Sequence, residues 1–200
     1  MKIIGITGPS GSGKTVLTKY FESIGVPTVD ADKVYHSMLT PPSECLDAIR
    51  QNFGNDVFFA DGSLNRVALG TIVFNDSKKL ELLNYTVLDM VLDRIRDMIK
   101  DFEKQGYSAV IVDAPTLIES GFDKECSVVV SVIAPIEKRT VRISQRDKIS
   151  ESKAKERVLA QKNDDFYTKR SDFVIHNDGV EADLLTKIET LSKNLDLFYI

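Results

Sequence analysis

The feature that most constrains this chain is Gly8-Pro9-Ser10-Gly11-Ser12-Gly13-Lys14-Thr15, set between an apolar run, Ile3-Ile4-Gly5-Ile6-Thr7, and a helical pattern. The spacing is that of a phosphate-binding loop, G-x-x-x-x-G-K-[ST]. Its glycines let backbone N–H groups converge on phosphate oxygens, Lys14 adds a cation, and the Thr15 hydroxyl is suited to ligate Mg²⁺. A helix beginning near Lys14 points the positive end of its dipole at the same anion. A Gly/Ser-rich surface turn would require neither the Lys-Thr pair nor a buried strand directly before it. The loop therefore commits the chain to strand–loop–helix and to an α/β fold with a doubly wound, mainly parallel sheet.

Composition bounds what is built around that loop. Two hundred residues with 42% hydrophobic content bury a substantial core in one domain, with room for an inserted helical lobe. A formal net charge of −4 and a pI near 5.3 argue against a general nucleic-acid or membrane-surface binder. Locally the sign reverses, since Lys138 to Arg170 carries eleven basic against five acidic residues. A basic segment on an acidic body suits a protein that grips polyphosphate. Cys45 and Cys126 stand far apart with no nearby His at zinc spacing, which reads as reduced thiols. The apolar runs are too short to span a bilayer, and Met1-Lys2-Ile3 enters a strand rather than a signal peptide, so a cytoplasmic protein is expected.

Along the chain, Val16, Leu17, Tyr20, Phe21 and Ile24 recur at helical spacing up to Gly25. Val26-Pro27-Thr28-Val29 then reads as a short strand ending at Asp30-Ala31-Asp32. In a doubly wound sheet ligands bind at the carboxyl ends of strands. One of the two acids is expected to cap the helix starting near Ala31 and the other to face the cleft. From Lys33 to about Asp101 the pattern is mainly helical, and Leu80, Leu83, Val87, Leu88, Val91, Ile95, Met98, Ile99 and Phe102 trace one long or kinked helix. At 1.5 Å per residue it is roughly 40 Å long, more than a single crossover needs, so part of it is expected in a lobe beside the core.

Ala109-Val110-Ile111-Val112-Asp113 has the continuous apolar character of a doubly buried parallel strand, and Asp113 at its end is a candidate Mg²⁺ carboxylate of the Walker B type. Val128–Ile133 is a further strand. Arg139, Arg142 and Arg146 follow at i, i+3 and i+7 along one helix face. Of these, Arg142 and Arg146 are assigned to phosphate clamping and charge stabilisation. Arg157 and Gln161 lie at i and i+4 on a helix beginning near Ser150. The chain closes with the strand Asp172–His176, a turn at Asn177-Asp178-Gly179 and an amphipathic helix; His36 and His176 read as structural.

Taken in order, these residues resemble the dephospho-CoA kinase family over nearly the whole chain. The resemblance rests on the P-loop start, Val29-Asp30-Ala31-Asp32, Phe53-Gly54, Asp61-Gly62 followed by Leu64, Arg66, Leu69 and Phe74, and Leu83-Asn84. It continues through Asp113-x-Pro115-x-Leu117-x-Glu119, Arg142-x-x-x-Arg146-Asp147, Arg157-x-x-x-Gln161 and Asp172-x-Val174-Ile175-x-Asn177-x-Gly179. Two departures stand out: Gly8-Pro9-Ser10 where family members usually read Gly-Gly-Ile, and Leu88-Asp89 where they carry His-Pro. The second lies in the segment that the resemblance associates with the acceptor, and it keeps open a P-loop kinase acting on a nucleoside or nucleotide. A nucleotide-dependent switch or assembly ATPase is disfavoured, because the chain has neither N-K-x-D nor D-x-x-G.

The resemblance implies transfer of the γ-phosphoryl group of ATP to the ribose 3′-hydroxyl of dephospho-CoA, with Mg²⁺ and no nucleic-acid or membrane partner, by a monomer or weak oligomer. It makes Lys14, Asp32 and Arg142 catalytic. Gly8, Ser10, Gly11, Ser12, Gly13, Lys14, Thr15, Val16, Arg146, Asn177 and Gly179 bind ATP. Asp32, Asp113, Leu117, Glu119 and Arg157 bind the acceptor, and Thr15 and Asp113 the metal. Residues 33–104 would form the acceptor lobe and 136–170 a lid.

Overall fold

The structure, a computed structural model, describes residues 1–197. They divide into two compact units: one runs Met1–Val29 and resumes at Asp101, and the other is Asp30–Lys100.

The first unit is built on a five-stranded parallel sheet in the order β2-β3-β1-β4-β5. The strands are β1 (Lys2–Thr7), β2 (Thr28–Asp30), β3 (Ala109–Asp113), β4 (Val128–Ile133) and β5 (Phe173–His176). Central β1 pairs with β3 on one side, Ile6 opposite Asp113, and with β4 on the other, Thr7 opposite Ser131. The chain thus turns outward in both directions from β1, and the loop leaving its carboxyl end sits at the switch point of the sheet, where α/β proteins bind ligands. Parallel strands need both faces covered. One face is closed by α1 (Lys14–Ser23) and α9 (Glu181–Asn194), whose Leu17, Phe21, Leu184, Ile188 and Leu191 pack on Ile4, Ile6, Ile111, Val130 and Val132. On the opposite side, Ile118 and Ile133 cluster with Tyr167 of α8 (Asp164–Thr168).

Helix α1 forms although Thr15 and Val16 are β-branched and cost a few tenths of a kcal/mol each in helix propensity. Leu17 and Phe21 are fully buried, and burying each contributes about 1.5–3 kcal/mol, so packing decides. The helix stops at Gly25, whose φ of 87° suits glycine. Val26 N–H then bonds back to Phe21 O at 3.0 Å, which draws Val26 into the helix terminus. β2 therefore starts at Thr28, two residues later than the apolar run suggests.

In the second unit Asp30 caps α2 (Ala31–Met38), its carboxylate accepting Lys33 N–H at 3.0 Å, and Asp32 occupies the first turn. Ser43 caps α3 (Glu44–Phe53). An antiparallel bridge joins Phe58 to Leu64 around the Asp61-Gly62 turn, and α4 (Arg66–Phe74) leads into the 28-residue α5 (Ser77–Lys104). The long helix expected from the periodicity is present and continuous. No helix among the described residues is long and apolar enough to cross a membrane.

Candidate functional site

Gly8 to Thr15 link β1 to α1, and the glycines stand where no side chain fits. Gly8 has φ 132°, and a Cβ there would lie 2.3 Å from Val132 O on the neighbouring strand. Gly13, the N-cap of α1, has φ 104°, and a Cβ would meet Asn177 Nδ2 at 2.3 Å. The Lys14 ammonium lies over the loop, donating to Gly8 O at 2.7 Å. Thr15 is exposed in the first turn of α1, while the fully buried Ser12 hydroxyl has no hydrogen-bond partner among the described residues.

The loop's carbonyls are gripped from outside. Helix α6 (Ile136–Asp147) runs beside it, and its cationic stripe is a set of contacts. Arg139 Nε donates to Ser10 O at 3.1 Å, and Arg142 Nη1 to Gly11 O at 3.0 Å and Ser12 O at 3.3 Å. Arg146 Nη2 reaches Ser10 Oγ at 3.4 Å. From the turn after β5, Asn177 Nδ2 donates to Ser12 O at 2.7 Å. In a trans peptide the C=O and the following N–H point in opposite directions. Holding the carbonyls of Ser10, Gly11 and Ser12 on the α6 side therefore turns the N–H groups of Gly11, Ser12 and Gly13 the other way. That of Ser12 closes a turn on Pro9 O at 3.3 Å. This orientation of successive N–H groups at a helix N-terminus makes a nest for an anion.

Around this cradle the charge is positive. Arg139 is only 3% exposed, and burial pushes its pKa down, opposed by the field of Asp164. Asp147 accepts from Arg146 at 2.7 Å and Arg157 at 2.8 Å, and the Arg146 hydrogen bond holds its carboxyl below the usual carboxylate range. Lys138 donates to the carbonyls of Asp178 and Gly179, the latter at 3.0 Å, which ties the start of α6 to the turn after β5.

The structure brings together much of what the sequence nominates. Gly8 to Val16, Arg142, Arg146, Asn177 and Gly179 share one neighbourhood with Arg139 and Gln161, which sequence reasoning left without a role. Arg139 was detectable as the first member of the arginine stripe; Gln161 offered only its spacing from Arg157. Asp113 is partly buried at the end of β3, opposite Ile6 of the strand that enters the loop. Arg157, on α7 (Glu151–Leu159), is held by Asp147, and Glu119 is exposed. The Leu117 side chain is fully buried and lies where a Cβ on Gly5 would meet it at 2.6 Å, beneath β1. Asp32 lies in the second unit.

No group of three or more His, Cys, Asp or Glu side chains gathers at metal spacing among the described residues. The oxygen donors on hand, a hydroxyl at Thr15 and a carboxylate at Asp113, fit Mg²⁺, which takes one or two protein ligands and completes its shell with phosphate and water.

Comparison with known proteins gives concordant matches. A family model described as dephospho-CoA kinase matches residues 2–183. The dephospho-CoA kinase of Dehalococcoides mccartyi is 34% identical over 96% of this chain and 97% of its own. Among solved structures, TT1252 from Thermus thermophilus matches with a TM-score of 0.80 at 27% identity, covering 97% of both chains. The dephospho-CoA kinase from Campylobacter jejuni matches with a TM-score of 0.73 at 26% identity, covering 98% of both.

Proposed function

The chain belongs to the dephospho-CoA kinase family, and from that premise we propose how its own residues carry the γ-phosphoryl group of ATP to the ribose 3′-hydroxyl of dephospho-CoA, giving CoA and ADP. Phosphoryl transfer asks a protein mainly for alignment and for stabilisation of spreading negative charge. The phosphate loop binds the nucleotide's phosphates through N–H groups turned inward, with Lys14 adjacent. Lys14 and Arg142 neutralise the charge that migrates with the γ-phosphoryl group. Asp32 orients the acceptor hydroxyl and accepts its proton. Asp113, Glu119 and Arg157 serve the acceptor; Arg146, Asn177 and Gly179 serve the nucleotide.

Thr15 and Asp113 would hold Mg²⁺, which would supply neutralisation of phosphate charge. Residues 136–170 act as a lid that excludes water, a competing acceptor, and 33–104 as the acceptor lobe. The enzyme works in the cytoplasm as a monomer or weak oligomer.

The observation that carries this reading is the outward pull of Arg139, Arg142 and Asn177 on three successive loop carbonyls, which leaves the loop shaped for a polyphosphate. The test is ADP release by purified protein given ATP, Mg²⁺ and dephospho-CoA, compared with a panel of nucleosides and nucleotides. Turnover with dephospho-CoA well above the panel is expected. Equal or greater turnover with a nucleoside would replace the acceptor and leave the donor half intact.

A further inference from the structure

Gln161 lies just past α7, yet its side chain reaches the phosphate loop. Its Oε1 accepts two hydrogen bonds at once, from Ser10 N–H at 2.8 Å and from Arg139 Nη2 at 2.9 Å. Its Nε2 donates to Arg157 O at 3.1 Å, one turn back, which fixes which end of the amide faces the loop. Arg139 in turn donates from Nε to Ser10 O at 3.1 Å. The N–H of Ser10 belongs to the peptide plane before its Cα and the C=O to the plane after it. Gln161 holds the first plane and Arg139 the second, so the two soft dihedrals of Ser10 are pinned between them. Gly11, with φ 78°, and the carbonyls held by Arg142 follow directly.

The chemistry of the pair is specific. Arg139 is a buried cation, and among the described residues its hydrogen-bond acceptors are two neutral oxygens, Ser10 O and Gln161 Oε1. A guanidinium is required because its planar fork serves two acceptors at fixed angles, which an ammonium does not match. At 161 an acceptor oxygen is required, because both groups facing it are donors.

We propose that Arg139 and Gln161 are positioning residues for nucleotide binding, which hold the Ser10 segment in its phosphate-receiving shape without touching the phosphates. The pair ties the end of α7 to the loop, so the arm made by α6 and α7 sets the loop's geometry. The inference rests on reading the loop as the nucleotide site and is independent of the acceptor. Releasing one residue's backbone adds an entropic cost on binding of about 1–2 kcal/mol, equivalent to roughly tenfold in affinity.

The experiment measures ADP binding by calorimetry in the presence of Mg²⁺, with no acceptor present, for wild type, Gln161→Leu and Gln161→Glu, together with thermal unfolding of each. Gln161→Leu is expected to weaken ADP about tenfold, the value of one loop residue released, while the unfolding midpoint stays close to wild type, since Gln161 is partly exposed. Gln161→Glu keeps the accepting oxygen and is expected to recover most of the affinity. Unchanged ADP affinity in Gln161→Leu overturns the proposal, and so does a Gln161→Glu protein as weak as Gln161→Leu. Wild type that binds ADP with this pattern yet fails to phosphorylate dephospho-CoA overturns the acceptor assignment alone.

Discussion

Asn177 Nδ2 lies 2.7 Å from Ser12 O, joining the turn after the last strand to the phosphate loop across 165 residues of sequence. Asn177 is 4% exposed, so its amide has no alternative partner in solvent, and the contact fixes how closely the two segments approach. The same amide occupies the space that a Cβ on Gly13 would need, at 2.3 Å.

Replacing that donor should cost both stability and nucleotide affinity. Asn177→Leu leaves Ser12 O with only the longer bond from Arg142 at 3.3 Å, a loss of about 0.5–1.5 kcal/mol, readable in denaturant unfolding, and ADP affinity should fall with it. Gly13→Ala should be worse for binding, because it adds strain at φ 104° to the clash. Gly13→Ala protein that binds ADP like wild type would contradict the geometry described for the loop.

Lys14→Ala should reduce phosphoryl transfer by about 10²–10³-fold, the scale of removing one preorganised charge or donor from a transition state. The check is steady-state turnover at saturating ATP with the fold verified by circular dichroism. A fully active Lys14→Ala enzyme is incompatible with the assignment of Gly8 to Thr15.

Asp32→Asn should lower turnover by roughly 10²-fold or more, as for loss of a positioned general base, while ADP affinity stays near wild type. If turnover in the folded variant is unaltered, Asp32 has no part in proton transfer and another carboxylate must be sought.

Cys126 supplies a pH test remote from catalysis. Burial pushes its thiol up to about 12, with the carboxylates of Asp123, Glu125 and Asp172 adding to the shift. A folded pKa raised above the unfolded value means that the stability contribution is complete below about pH 8.5, the ordinary thiol range, and is lost as pH rises toward 12. Across that window the unfolding free energy of wild type should fall by about 1.4 kcal/mol per pH unit faster than that of Cys126→Ala. Parallel slopes would show that the thiol ionises freely in the native protein.

Much of the architecture is legible before any coordinates, because local patterns carry it. Ile3 to Thr15 encode strand, loop and helix in one stretch; the doubly buried run at 109–113 encodes a parallel strand; and the apolar spacing from Leu80 to Phe102 encodes one long helix. Asp30 was identifiable as one of two capping acids at the right place. Boundaries were less secure where a helix end competes with a strand start, as at Val26, whose N–H is taken by Phe21 O.

The candidate site was legible where chemistry is local and opaque where it is assembled. The phosphate loop can be read as a word, since each residue's function depends on its immediate neighbours. Leu117 is apolar in a motif that otherwise carries polar residues, and only packing shows its side chain buried against Gly5. The stripe of Arg139, Arg142 and Arg146 is a periodicity, and periodicity names a helix face without naming what lies against it. Gln161 entered only through its spacing from Arg157, which does not name its partners on the loop.

The sequence by itself determined a phosphate-loop motif at the end of the first strand, within a parallel α/β fold, because conformational preference and hydrophobic period act over a few residues at a time. Only the tertiary structure decided what shapes that loop: Arg139, Arg142, Gln161 and Asn177 reach it from 129 to 165 residues away. Those contacts exist because the sheet order puts β4 beside β1 and β5 beside β4, bringing the elements that follow them to the loop's side, and strand order is a property of the whole chain's packing.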